Sequence, residues 1–79
     1  MNPRVVEVKA RGDFTVEILF ANTERKIFDV KPYLDKGIFK ELQNKDVFNS
    51  VKVDNGSISW VGGQDFCPDT LYLEGRNIN

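Results

Sequence analysis

Apolar and polar residues alternate from the start of the chain: Val6, Val8 and Ala10 are interleaved with Glu7, Lys9 and Arg11. A period of two places successive side chains on opposite faces of a strand, so this stretch predicts a first strand with Val6, Val8 and Ala10 on the core side. Arg11-Gly12-Asp13 breaks the pattern, and Gly12 tolerates the positive φ of a tight turn. Phe14, Val16, Ile18 and Phe20 then alternate with Thr15, Glu17, Leu19 and Ala21, giving a second strand. Asn22 and Thr23 offer another turn before Phe28 and Val30 carry the alternation into a third strand. The first thirty residues therefore read as an antiparallel meander.

Pro32 lacks a backbone donor and ends the third strand, after which Asp35-Lys36-Gly37 supplies turn residues. Ile38, Phe39 and Leu42 follow at short helical spacing, and Asn44 is placed to cap a second short helix over 45–49, directing Val47 and Phe48 to the core. Val51 and Val53 then alternate with Lys52 and Asp54. Asn55-Gly56 is a strong two-residue hairpin signal because both residues accept positive φ, and Ile58 and Trp60 resume the alternation. Gly62-Gly63 opens a loop, and Pro68 suits the first turn of a final helix through Leu71, Tyr72 and Glu74 that Gly75 stops. Arg76 to Asn79 reads as a frayed tail. The expected fold is a single α+β domain over 1–79: a three-strand antiparallel β-meander plus a second β-hairpin, with short helices packed on the sheet.

Leu19 and Ile27 fall on the face opposite the aromatic row, together with Val5. That leaves the outer side of the sheet less polar than a fully solvated face. The expected cover is the helical middle or the C-terminal segment folding back; a partner protein or a symmetric dimer is the alternative.

Composition narrows the chemistry. Hydrophobic residues make up 41% and charged residues 29%, the usage of a folding domain, with six Phe, two Tyr and one Trp as the bulk of a small core. Eleven basic against twelve acidic residues give a net charge of −1, without the excess that holds a phosphate backbone. Arg25, Lys26 and Lys31 read as a solvated strand face, and nucleic acid is not an expected partner. Cys67 is the single cysteine, which excludes an intramolecular disulfide and points to a reducing compartment. No apolar stretch reaches signal-peptide or membrane-span length, so a cytoplasmic location is expected.

With no histidine in the sequence, the commonest general base near neutral pH and the Ser/His and Cys/His nucleophile pairs are missing. Asp65 and Asp69 lie four residues apart beside Trp60 and form the remaining acid–base candidate, but aspartates at a turn and in a first helical turn serve capping equally well. On that reading Asp69→Ala costs the fold and not a turnover. Asp54-Asn55-Gly56 and Gly62-Gly63-Gln64-Asp65 lack the ordered ligand series of a calcium loop, and Gly62-Gly63 lacks the context of a phosphate-binding loop, so no metal or cofactor is expected. Cys67 at a helix start reads as a small, half-buried capping residue, and Arg11-Gly12-Asp13 as turn chemistry. Trp60, Asp65, Asp69 and Tyr72 make a second candidate surface, since rings with polar tips anchor interfaces; packing of Trp60 and Tyr72 in the core is the structural alternative.

Phe28-Asp29-Val30 with Leu34, then Gly37, Phe39, Leu42, Phe48, Val51, Trp60, Gly63 and Asp65, and finally Pro68-Asp69-Thr70-Leu71-Tyr72 carry a resemblance across nearly the whole chain. In these residues the chain resembles a small prokaryotic family catalogued as domain-of-unknown-function family 2442. Members look like stand-alone domains or the amino-terminal half of proteins with a helix-turn-helix domain, and are often encoded beside small toxin-like proteins. The resemblance implies a regulatory or antitoxin-like role with a protein partner and adds no support for an enzyme. The expected function is thus a non-enzymatic interaction domain binding through Leu19 and Ile27, or through Trp60, Asp65, Asp69 and Tyr72. The alternative is a small ligand-binding protein or enzyme using Asp65 and Asp69 near Trp60.

Overall fold

The computed structural model describes residues 2–78. In chain order these form β1 (Val5–Ala10), β2 (Thr15–Phe20), β3 (Arg25–Asp29), 3₁₀ segments at Lys31–Tyr33 and Gly37–Gln43, α1 (Lys45–Phe48), β4 (Lys52–Asp54), β5 (Ser57–Ser59), β6 (Asp65–Phe66), α2 (Pro68–Glu74) and β7 (Arg76–Asn77). The expected meander forms one antiparallel sheet, extended by β7 to the order β1-β2-β3-β7, and the expected hairpin grows by β6 into a second, β4-β5-β6. The chain is an α+β fold of two small antiparallel sheets with short helical segments.

Strand β1 departs from strict alternation. Val5 faces Phe20 and Glu7 faces Leu19 on β2, so Val6 is the extra residue of a β-bulge. The bulge exchanges the assignments of the first two valines: Val5 is 3% exposed in the core and Val6 is 48% exposed. Val8 and Ala10, beyond the bulge, pack against the core as the alternation requires. The turn into β2 is closed by Arg11 N donating to Thr15 O at 2.9 Å, and its positive φ falls on Phe14 (62°) and not on Gly12. A left-handed conformation costs an L-residue about 1–2 kcal/mol. The Phe14 ring offsets this by packing edge-on against Phe48, centroids 5.3 Å apart.

Val16, Ile18 and Phe20 of β2 share the inner face with Phe28 of β3, and together with Val30 they meet Leu42, Phe48 and Leu71 from the helical segments and Ile58, Trp60 and Phe66 from the second sheet. The 3₁₀ segment Gly37–Gln43, α1 and α2 therefore each send a buried side chain to the same side of the larger sheet. Of the two covers expected for the opposite face, the chain does not fold its helical middle over Leu19 and Ile27, and it brings its C-terminal segment back to the sheet edge, as β7 beside β3. Its short helices are all needed to complete the core on the inner side.

Local chemistry explains the element ends. Asn44 caps α1 by accepting from Asp46 N at 2.9 Å, and Asn55 and Gly56 both take positive φ (55° and 81°) in the tip of the second hairpin. Helix α2 begins at Pro68 and ends at Gly75, whose φ of −69° any residue could adopt. The glycine is required by proximity, since a Cβ there would lie 2.6 Å from the Leu71 carbonyl oxygen and 3.1 Å from the Lys26 side chain. The segment expected to fray is instead pinned over its described residues: Arg76 pairs with Ile27, Asn77 with Lys26, and Ile78 N donates to Arg25 O at 3.1 Å. The edge of β3 offered unpaired backbone groups that two residues of strand suffice to satisfy. Asn79 lies outside the described residues.

The second sheet lies against β1. Val5 N donates to Gly56 O at 2.9 Å and the Arg4 guanidinium donates to Asn55 O at 2.8 Å, so the hairpin tip is fastened to the start of the meander.

Candidate functional site

Strand register places the first candidate pair. On the outer face of the larger sheet one row runs Glu7, Leu19, Arg25 and, by the Ile78 to Arg25 hydrogen bond, Ile78; the next runs Lys9, Glu17, Ile27 and Arg76. Leu19 is half-buried, Ile27 is 8% exposed and Ile78 is 43% exposed. Glu17, beside Ile27, is held between two guanidinium groups, Arg11 at 3.3 Å and Arg25 at 3.5 Å. Exposed pairs of this kind contribute little to stability, but their aliphatic stems shield the apolar floor beneath. Leu19 and Ile27 thus share one face. Ile78, assigned to the tail by sequence reasoning, joins them because β7 pairs with β3. The signal that reveals it is the even spacing of Arg76 and Ile78 on a short terminal strand, too brief for periodicity to detect.

At the end of this face Asp13, Thr15, Ile27, Asp29, Lys31, Glu74 and Arg76 line a hollow of about 260 Å3. Thr15 Oγ1 donates to Asp13 Oδ1 at 2.6 Å and holds the Asp13 carboxyl below the usual carboxylate range. Lys31 bridges to Asp29 at 3.1 Å and donates to the Asp13 carbonyl at 3.3 Å. Within the hollow Lys31 is thus matched to Asp29 and Asp13, while Glu74 accepts from the Tyr33 hydroxyl.

The second candidate group is divided. Trp60 is 2% exposed, its Nε1 donates to Phe48 O at 2.9 Å, and its ring packs against Phe48 and Phe66. Tyr72 is half-buried, edge-on to Phe20 at 5.1 Å with the Lys26 ammonium 4.4 Å from its ring centre. The Glu24 carboxylate beside its hydroxyl raises the Tyr72 pKa, and the phenol in turn lowers that of Glu24. Asp69 is exposed on α2 and accepts from Asn2 Nδ2 at 2.9 Å. Asp65, on β6, instead lines an open hollow of about 440 Å3 with Asp54, Asn55, Ser57, Ile58, Phe66, Cys67 and Pro68. Trp60 is buried in the core, Asp69 and Tyr72 both lie on α2, and of the four residues Asp65 is the one in that lining.

Gln64 escaped sequence reasoning. It is fully buried, its Nε2 donates to Ile38 O at 2.8 Å, and its Oε1 is buried without a hydrogen-bond partner. Gly62 leaves room for it, since a Cβ at that position would stand 2.7 Å from Oε1. The Gly62-Gly63 loop is accordingly shaped around an internal amide. Its single hydrogen bond ties the loop to the 3₁₀ segment, with Val61 and Ile38 left 76% and 59% exposed on either side.

Asp54 in the larger hollow accepts from Ser59 Oγ at 3.0 Å, and Ser57 Oγ donates to Phe66 O. Cys67 is exposed at the amino end of α2 and makes no capping bond through its side chain. Among the described residues no group of three or more Cys, Asp and Glu side chains is placed to hold a metal ion, and no helix is long and apolar enough to cross a membrane.

Neither the curated proteins nor the solved structures include one that matches the chain. One family model does match, over residues 5–77, from β1 to the last residue of β7, and the chain belongs to that family, described as a protein of unknown function, DUF2442.

Proposed function

We propose that the chain is a non-enzymatic protein-interaction domain with a regulatory, antitoxin-like role, and that it receives its partner on the outer face of the four-stranded sheet around Leu19. The observation that carries this reading is the one-sided build of the fold. The buried side chains of the helical segments pack on the inner face, while the outer face carries Leu19, Ile27 and Ile78 in rows interspersed with charged residues. A sheet face with apolar residues inside a polar rim is the pattern of a protein interface, where a small buried centre supplies energy and flanking charges set register. The partner that the family resemblance brings forward is a small toxin-like protein encoded nearby. Co-expression with the neighbouring gene product tests it. The expected result is co-purification and relief of growth arrest; separate elution with unrelieved arrest contradicts it.

The alternative, a small ligand-binding protein or enzyme, draws its support from the open hollow at Asp65. It has less to build on, because Asp69 is engaged with Asn2 and Trp60 with the Phe48 carbonyl, leaving Asp65 and Asp54 as the carboxylates of that hollow.

A further inference from the structure

No further inference is drawn: the strongest candidate, the open hollow between the tip of the β4-β5 hairpin and the start of α2, offers two carboxylates and a lone cysteine, and nothing in the structure shows what occupies it.

Discussion

The indole Nε1 of Trp60 donates to the carbonyl oxygen of Phe48 at 2.9 Å, inside the core. Phe48 ends α1, so this bond fastens the helical middle of the chain to the second sheet at the point where the two rings also meet. Trp60→Phe keeps most of the apolar volume and removes the donor, leaving a buried carbonyl unpaired. The expected loss is about 1–3 kcal/mol, read in urea as a lower midpoint with unchanged slope. An unchanged midpoint contradicts the role given to this bond.

Gly62→Ala tests the loop around Gln64. The added methyl meets the amide at 2.7 Å, and the side chain must leave the position in which it bonds Ile38 O. A destabilisation of about 1–3 kcal/mol is expected. A variant as stable as the parent shows that the buried amide moves without cost and that the loop does not depend on it.

Capping by Asp69, read from sequence alone, makes Asp69→Ala a loss of fold. The structure assigns the carboxylate one exposed bond, to Asn2, and predicts a smaller effect of about 0.5–1 kcal/mol. For a domain of this size that lowers Tm by only a few degrees, roughly 4–8 °C per kcal/mol. A collapse of the fold would show that Asp69 does more than tether the amino-terminal segment.

Stability should fall at both ends of the pH scale, for opposite reasons. Asp13 and Glu24 have lowered pKa values in the folded chain, so their contribution is present above the ordinary carboxylate range and is lost as pH falls through the folded values. Tyr33 and Tyr72 have raised values because Glu74 and Glu24 lie at their hydroxyls; their contribution is present below the ordinary tyrosine value and lost as pH rises past it. Tyr33 Oη donates to Glu74 Oε1 at 2.9 Å, and Tyr33→Phe should flatten the alkaline fall in Tm without changing the acid one. An alkaline limb of unchanged steepness in Tyr33→Phe contradicts this.

The meander, the Asn55-Gly56 hairpin, the Asn44 cap and the Pro68 start of α2 were legible because each rests on a short-range rule: alternation, paired positive φ, a side-chain acceptor or a fixed φ. The features that escaped rest on long-range pairing. The bulge at Val6 depends on how β1 meets β2, and the extra residue reverses the faces of Val5 and Val6. Strands β6 and β7 are two residues long and exist because existing edges recruit them. The inward placement of Gln64 depends on the carbonyl of Ile38, 26 residues away. The candidate site divided along the same line. Leu19 and Ile27 share a face because they share a local alternation, whereas in the second group Trp60 turns into the core, Asp69 and Tyr72 stay together on α2 and Asp65 lies on β6.

The interaction face is tested most directly by titrating the co-expressed partner against Leu19→Arg, with Asp65→Asn as the control at the other candidate surface. Leu19 is half-buried on an outer face, so the substitution should leave Tm within a few degrees of the parent. The account predicts at least a tenfold loss of affinity for Leu19→Arg and an unchanged value for Asp65→Asn. Full affinity in a folded Leu19→Arg protein, or the loss appearing in Asp65→Asn instead, contradicts it.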